Sequence, residues 1–269
     1  MKTTGGGINM NRQAKTQNAF LSFAATAFFF TLCALVIAPF IVFLIASFRP
    51  GQDLVRNGLS LGIDIERMSF NNYKFLFTGK HAYFLWFKNS LLLTVIQATS
   101  TLFVCYTVAY GLSMYFFKLR GILFFLVIAT MMVPFEILML PLYVEIMNLN
   151  LINTTAGIVL PGLCAAGTIF FFRQYMLGLP RDLLDAGRID GANEYRICYT
   201  IMLPLTKLAF ASMGILAAMG SWNSMLWPLL VYRDAEKFTL PIGLNTLQTP
   251  YGNDYDVLIA GSVFPYCPL

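Results

Sequence analysis

AFLSFAATAFFFTLCALVIAPFIVFLIASF, residues 19–48, is an apolar run that contains no charged side chain. A helix needs ~20 apolar residues to cross the ~30 Å hydrocarbon core of a bilayer. A cleavable signal peptide has an apolar region of only about 7–15 residues, and this run is about twice as long. The run therefore predicts a first transmembrane helix that is retained.

Four more apolar runs have the length of a membrane span, and they cover residues 89–117, 121–147, 154–172 and 199–231. Because backbone polar groups in lipid must bond internally, these runs are predicted to be helices. A last run begins near Val257, but it extends only ~20 Å as a helix before the chain ends, and it contains Pro265 and Pro268. The predicted fold is all-α: a polytopic helical membrane protein with five full transmembrane helices and an incomplete sixth.

The composition agrees with a membrane protein. Hydrophobic residues make up 58% of the chain and charged residues only 12%, whereas a soluble domain has about 25% charged residues. The net charge is +5, but Lys and Arg are scattered through short polar connections, which argues against nucleic-acid binding. We expect a polar N-terminal tail at residues 1–18, a membrane domain at 19–262 and an atypical C-terminus at 263–269.

Positive charge favours a cytoplasmic N-terminus. The loops on the side of the N-terminal tail carry ten Lys or Arg, and the other loops carry eight, six of them in the long first loop. Cytoplasmic loops are enriched in these residues. The tail and the charged segment at residues 173–207 are therefore expected inside the cell.

The cysteines and the single histidine do not indicate metal or redox chemistry. The sequence has no CxxC pair and no Cys/His metal spacing, and His81 has no ligand partner nearby. We therefore expect reduced, structural cysteines and no metal site. The cysteines are Cys33, Cys105, Cys164, Cys198 and Cys267.

The most informative polar segment is LPRDLLDAGRIDGANEYR, residues 179–196. Pro180 suits the first turn of a helix, and Asp182 suits the positive end of its dipole. Gly191 permits a left-handed helix end, and Asn193 is a good cap for a second helix. The segment predicts a short helix, an elbow and a second helix that leads into the fifth span.

Small residues surround this elbow: Ala186, Gly187, Gly191 and Ala192. They would leave one side bare, so that the backbone of another protein can approach closely. A docking surface for a partner is one interpretation. A charged loop with glycines that occur by chance is the other, and spacing alone does not decide between them.

The segment resembles the coupling loop of permease subunits in ATP-binding-cassette importers, in the maltose-type carbohydrate branch. That signature is Glu-Ala-Ala, three residues, Gly, nine residues, then Ile-x-Leu-Pro, and this chain has Asp185-Ala186-Gly187, then Gly191, then Ile201-Met202-Leu203-Pro204. Asp185 and Gly187 depart from the commoner Glu and Ala. The branch also has a complete sixth span, which residues 263–269 do not supply. The resemblance implies that these residues couple to an ATPase: Asp185, Ala186, Gly187, Arg188, Asp190, Gly191, Ala192, Ile201, Leu203 and Pro204.

The resemblance also implies the partners and the mechanism. A second homologous permease subunit, an ATPase dimer and an extracytoplasmic solute-binding protein would assemble with this chain in the cell membrane. Closure of the ATPases would switch the pathway between outward- and inward-facing states and so import a carbohydrate, polyol or sugar phosphate. This chain has no Walker-type phosphate loop. It is therefore expected to bind no cofactor itself, to leave ATP to the ATPase subunits and not to be an enzyme.

Polar residues within the spans are candidates for lining the solute pathway, because polar groups that face lipid are costly. The candidates are Gln97, Glu136, Asn223 and Ser224. Hydrogen bonds between helices are the alternative role for these residues. An ion-gradient-driven secondary transporter is the rival function. Only Glu136 offers an intramembrane acid, since Glu145 lies near a span end, and no half-to-half repeat is visible. A membrane-embedded enzyme would need a convergent catalytic set, and the single His lies in a loop.

Overall fold

The computed structural model describes residues 6–50, 68–78, 82–247 and 255–263 of this chain. Regular secondary structure in these ranges is helical, and residues 264–269, His81 and Cys267 lie outside them. The helices are α1 (Gly6–Ala46), α2 (Asn71–Thr78), α3 (Tyr83–Met114), α4 (Arg120–Met131), α5 (Phe135–Asn148), α6 (Thr155–Gly162), α7 (Ala166–Leu177), α8 (Asp182–Ile189), α9 (Glu194–Leu205), α10 (Lys207–Trp222), α11 (Leu226–Val231), α12 (Leu240–Thr246) and α13 (Tyr255–Val263).

The chain forms two compact units, residues 1–79 with 247–269 and residues 80–246. In the first unit, α2 closes the end of α1. The Asn72 side-chain amide donates hydrogen bonds to the carbonyl oxygens of Ser47 at 2.9 Å and Arg49 at 2.8 Å. These carbonyls follow the last turn of α1, where the helix itself offers no donor. Asn72 therefore fixes the exit of the chain from the first span.

Helix α1 contains the predicted first span. Its segment Leu21–Ala46 has an apolar window of which none is buried within the protein. A helix that is apolar on all sides and uncovered by its own chain is suited to lipid. The corresponding window of α3 is 39% buried, because α3 is the central helix of the second unit.

Three of the predicted spans are bent pairs of helices in the described part of the chain. The bend is 104° between α4 and α5, 46° between α6 and α7, and 84° between α9 and α10. Two helices, α1 and α3, are long enough to span alone, and counting each bent pair as one span gives five. The all-α membrane fold is confirmed, and the predicted runs 121–147, 154–172 and 199–231 are each divided.

Proline explains two of the bends. Pro134 precedes α5 and disfavours helical geometry at Val133, so the helix that began at Arg120 ends at Met131. In α9, Pro204 has no backbone N–H to continue the helical ladder. Two residues later the Thr206 backbone N–H and hydroxyl both donate to the carbonyl oxygen of Leu203, at 3.0 Å and 2.9 Å, where the chain turns into α10.

The core of the second unit lies along α3. Tyr106 of α3 is fully buried, and its ring contacts Phe172 of α7 and Phe210 of α10 with centroid distances of 5.5 Å and 5.7 Å. Its hydroxyl donates to the carbonyl oxygen of Cys198 in α9 at 3.3 Å. One aromatic side chain thus joins α3 to three neighbouring helices, including the helix that follows the predicted elbow.

The last apolar run corresponds in part to α13, Tyr255–Val263, which packs with α1 and α2 in the first unit. Its nine residues extend ~14 Å along the helix axis, about half of the ~30 Å core. Cys33, Cys105, Cys164 and Cys198 are free thiols. That these cysteines are reduced in the cell stays a prediction.

Candidate functional site

The elbow predicted at residues 179–196 is present. Helix α8 ends at Ile189, Gly191 has φ +73°, and Asn193 begins α9 by accepting a hydrogen bond from the Arg196 backbone N–H at 2.8 Å. The backbone N–H of Ala192 donates to the carbonyl oxygen of Gly187 at 3.0 Å. This bond closes the end of α8 through a left-handed residue. The helix–elbow–helix prediction therefore holds in detail.

Gly187 has a different role from the one we expected. It is buried, and a Cβ added there would lie 2.9 Å from Ile201 Cδ1 and 3.2 Å from Ile197 Cγ1. Its small size lets α8 pack against α9 of the same chain, so it is not part of a bare outer face. Ala186, by contrast, is exposed.

The Ile201-Met202-Leu203 segment of the motif also packs within the chain. Ile201 packs against the core of the second unit and so does Leu203, while Pro204 precedes the bend into α10. Residues Ile197–Met202 form a π-helical turn within α9. These residues belong to the helix that follows the elbow, and none of them lies at the turn around Gly191.

Three side chains from separate parts of the sequence contact one another at the elbow. Arg188 Nε donates to Glu194 Oε1 at 2.8 Å, and Arg188 also bonds Asp185 Oδ1 at 3.2 Å. The Tyr115 hydroxyl donates to Glu194 Oε2. We call Arg188, Glu194 and Tyr115 the clasp. Glu194 and Tyr115 carry no local signal of this contact, because they are 79 residues apart.

The pKa shifts of the clasp residues favour the protonation states that its hydrogen bonds require. Burial raises the pKa of the Tyr115 hydroxyl, and its bond to Glu194 raises that pKa further. The hydrogen bond to Glu194 also raises the pKa of the Arg188 guanidinium. Both groups therefore stay protonated near neutral pH and remain donors to the same carboxylate. The clasp ties the elbow to the segment that follows α3.

Arginines make a second connection between the elbow and α3. The carbonyl oxygens of the last turn of α3 lack helical partners. Arg181 donates to the carbonyl oxygen of Ser113 at 3.4 Å, Arg120 to the same oxygen at 3.2 Å, and Arg173 to that of Leu112 at 3.3 Å. Cations are favourable at this negative end of the helix dipole. The start of α8 is thus anchored to the C-terminal end of α3.

Removing the carboxylate of the clasp tests this connection. A Glu194→Gln substitution keeps the size of the side chain but removes the charge that holds Arg188. With the importer function that the resemblance implies, we expect ATP-driven uptake to fall several-fold at unchanged expression. Hydrogen bonds to charged groups are the stronger ones. Transport in proteoliposomes measures the effect, and Glu145→Gln, which changes an exposed acid outside both the clasp and the elbow, is the matched control. Equal loss in both variants would show that the clasp has no special role.

The outer face of the elbow carries two large exposed side chains. Ile189 is 86% exposed and Tyr195 is 75% exposed, and Gly191 lies between them in the sequence. Asp185 and Asp190 are exposed on the same short segment. Two apolar side chains this exposed on a short segment outside the spans make that segment a candidate protein-binding surface. Ile189 and Tyr195 were not predicted from the sequence, since exposure is a property of the fold.

The candidate pathway residues separate into two pairs. Gln97 and Ser224 line one cavity of about 260 Å³ in the second unit. Asn223 is exposed and donates from its side chain to the carbonyl oxygen of Met219 at 2.9 Å, so it ends α10. Glu136 is exposed in the first turn of α5. Neither Asn223 nor Glu136 is among the residues that line the cavity.

Comparison with known proteins decides the family. The family model described as "Binding-protein-dependent transport system inner membrane component" matches residues 106–267. This chain belongs to that family. It is a membrane permease subunit of a binding-protein-dependent transport system, a component of the inner membrane, and not an enzyme. The resemblance inferred from the coupling motif is confirmed, and the permease family leaves no support for the ion-gradient alternative.

Individual relatives of this permease agree. It is 50% identical to the arabinooligosaccharides transport system permease protein AraQ of Bacillus subtilis (strain 168), over 91% of this chain and 88% of that protein. It is 30% identical to the lactose transport system permease protein LacG of Rhizobium radiobacter, over 87% of this chain and 84% of the other. It is 32% identical to the sn-glycerol-3-phosphate transport system permease protein UgpE of Brucella suis biovar 1 (strain 1330), over 75% and 68%.

A solved structure shows the same fold as this permease. A chain of a bacterial ABC transporter involved in the import of the acidic polysaccharide alginate superposes with a TM-score of 0.81, and the match covers 94% of this chain and 93% of that one. The sequence identity is 22%, so the likeness concerns the fold.

Proposed function

We propose that this permease belongs to an ATP-driven carbohydrate importer and that the segment Asp182–Ala192 docks on an ATPase subunit. The observation that carries the proposal is the outer face of the elbow, where Ile189 is 86% exposed next to a glycine with φ +73°. An exposed apolar side chain on a rigid turn can be buried in a partner without any rearrangement of the turn. Because the turn is rigidly connected to the spans, movement of the bound partner can be transmitted to them.

The connection runs through α3. The elbow is held to the C-terminal end of α3 by Arg181 and by the clasp. Thr101 of the same helix lines the cavity, about 18 Å along the axis from Ser113. A continuous helix moves as a rigid element. A displacement of the elbow is therefore transmitted through α3 to the residues that line the cavity, with no flexible segment between them.

The partners follow from this arrangement and from the family. We propose that a second permease subunit completes the pathway, that a pair of ATPase subunits binds ATP and contacts the elbow, and that an extracytoplasmic binding protein delivers the solute. Arg120, Arg173, Arg181 and Arg188 gather at the end of α3 next to the elbow. Since cytoplasmic loops are rich in Lys and Arg, we propose that this end of α3 and the N-terminus face the cytoplasm.

The proposed solute is an arabino-oligosaccharide. AraQ, with 50% identity across nearly the whole of both chains, is named for that class of solute, and LacG is named for another neutral sugar. The glycerol-phosphate and alginate systems carry anionic solutes and match this permease at 32% and 22% identity. The higher identity favours the neutral oligosaccharide.

An Ile189→Asp substitution tests the docking surface. Burial of one Ile side chain stabilises a contact by about 1.5–3 kcal/mol, so its loss weakens association at least tenfold. Because Ile189 is 86% exposed, the fold of the permease itself is expected to survive. We therefore expect the variant to reach the membrane and to recover at least tenfold less ATPase in pull-down of the affinity-tagged permease.

The control is Ile189→Val, which keeps an apolar side chain and is expected to recover the ATPase almost normally. If Ile189→Asp and Ile189→Val recovered equal amounts of ATPase, this tip would not be the docking surface. Uptake driven by a proton or sodium gradient without ATP would end the importer proposal itself.

A further inference from the structure

The cavity in the second unit is formed where helices are interrupted. Its lining includes Phe135 at the start of α5, Ala165 between α6 and α7, and Ser224 between α10 and α11. Non-helical backbone at membrane depth is tolerated where it is buried in protein or lines a water-filled space. Helix α3 passes the same space and contributes Gln97 and Thr101. The three interruptions therefore meet at one cavity, whose mainly apolar lining includes a few polar side chains.

Two buried polar atoms at this cavity have no hydrogen-bond partner among the described residues. They are Trp227 Nε1 and Gln97 Oε1. Trp227 is 5% exposed, and both side chains line the cavity. Leaving a buried donor or acceptor unpaired costs about 1–3 kcal/mol each. A ligand with hydroxyl groups would supply an acceptor for the indole N–H and a donor for the amide oxygen.

The amide nitrogen of Gln97 already has a hydrogen-bond partner within the protein. Gln97 Nε2 donates to Thr101 Oγ1 at 3.4 Å, and Thr101 Oγ1 donates to the carbonyl oxygen of Gly162 at 3.2 Å. A Cβ on Gly162 would approach Gln97 Nε2 to 2.5 Å, so only glycine leaves room for this side chain. The amide is thereby fixed with its Nε2 edge on protein groups, and its oxygen is left for another partner.

The remaining lining is suited to a neutral sugar ring. Ser221, Ser224 and Thr168 add hydroxyl groups, and Phe135 and Trp227 add aromatic surface, with ring centroids 6.0 Å apart and planes at 83°. Among the described residues that line the cavity, none is charged. The volume of about 260 Å³ is below the ~300–1,000 Å³ of pockets for drug-sized ligands. It admits one ring and leaves out a whole oligosaccharide.

From this geometry we infer that the cavity is a subsite for one neutral sugar ring of the transported oligosaccharide, held by Trp227 Nε1 and Gln97 Oε1. The inference rests on the proposed function for its solute class. It adds that this subunit contacts the solute itself, and that sugar phosphates and uronic acids are excluded, because their charge would be buried without a counter-charge.

Tryptophan fluorescence of the purified full transporter in lipid nanodiscs tests the subsite, with arabinotriose as the probe. This chain has three tryptophans, and Trp222 does not line the cavity. We expect a saturable fluorescence change in the unmodified transporter and in Trp222→Phe, and its loss in Trp227→Phe. sn-Glycerol 3-phosphate is expected to give no change. A change that persists in Trp227→Phe, no change in the unmodified transporter, or an equal response to the phosphate would overturn the subsite.

Uptake of arabinotriose into proteoliposomes separates this inference from the proposed function. Trp227→Phe keeps an aromatic ring and removes one donor, so we expect the half-saturating concentration to rise about three- to tenfold while the maximal rate changes little. A Gln97→Leu variant is expected to behave in the same way. Normal ATP-driven uptake with unshifted half-saturation in both variants would overturn the subsite and leave the importer intact. Absence of ATP-driven uptake in the unmodified transporter would instead overturn the proposed function.

Discussion

A Gly191→Val substitution is expected to reduce ATP-driven uptake by about two orders of magnitude or more. Gly191 has φ +73°, and a β-branched residue is a genuine outlier in that region of conformational space. A Cβ there meets no atom within 4 Å, so the effect comes from the backbone conformation and not from a collision. The chain would leave the left-handed conformation, lose the bond from the Ala192 N–H to the Gly187 carbonyl, and displace Ile189 from its docking position.

Gly191→Asn is the matched control. Asn tolerates positive φ, and this chain already has it at Asn150, φ 54°, and Asn153, φ 61°. We expect Gly191→Asn to keep most of the uptake and of the ATPase recovery, although its side chain is polar and similar in size to Val. Equal inactivation by Val and Asn would show that the surface at residue 191, and not its backbone geometry, is what the partner needs.

A Gly243→Ala substitution is expected to cause the largest loss of stability. Gly243 of α12 is buried, and a Cβ there would overlap three atoms of the Trp86 indole in α3. The indole is held, because its Nε1 donates to the carbonyl oxygen of Ala235 at 3.3 Å. The backbone of α12 is held as well, because the Leu240 N–H donates to Ser90 Oγ at 2.8 Å. Neither side has freedom to yield.

Overpacking of this kind costs about 3 kcal/mol, the upper part of its usual range. For a unit of this size that corresponds to a drop of about 6–12 °C in the apparent melting temperature, measured on the detergent-solubilised transporter. Gly111→Ala is the control in the same helix as Trp86, because a Cβ at Gly111 meets no atom within 4 Å. The double variant Gly243→Ala/Trp86→Leu is expected to recover part of the loss. A Gly243→Ala protein as stable as Gly111→Ala would contradict this packing.

The elbow could be predicted from the sequence because its signals are local. Gly191 at a helix end and Asn193 at a helix start each act within one turn of the chain, and both occur as expected. The role of Gly187 could not be predicted in the same way. Its neighbours Ile197 and Ile201 are brought to it by the turn itself, so a residue that looked like part of an open face became internal packing.

The candidate pathway shows the same limit. Gln97, Glu136, Asn223 and Ser224 are equivalent in the sequence, as polar residues in apolar runs. Gln97 on α3 and Ser224 between α10 and α11 line one cavity, whereas Glu136 and Asn223 are exposed and are not among its lining residues. Trp227, whose indole N–H is an unpaired donor at that cavity, was not among the pathway candidates predicted from the sequence.

The sequence by itself determined that this protein is an α-helical membrane permease with an elbow between its fourth and fifth spans. Apolar run length and the turn chemistry of single residues act locally, so they can be read in one dimension. Only the tertiary structure decided where the spans bend, which polar atoms share a cavity, and that Glu194 joins Arg188 to Tyr115. Those contacts join residues that are distant in sequence, and the pattern around either partner does not encode them.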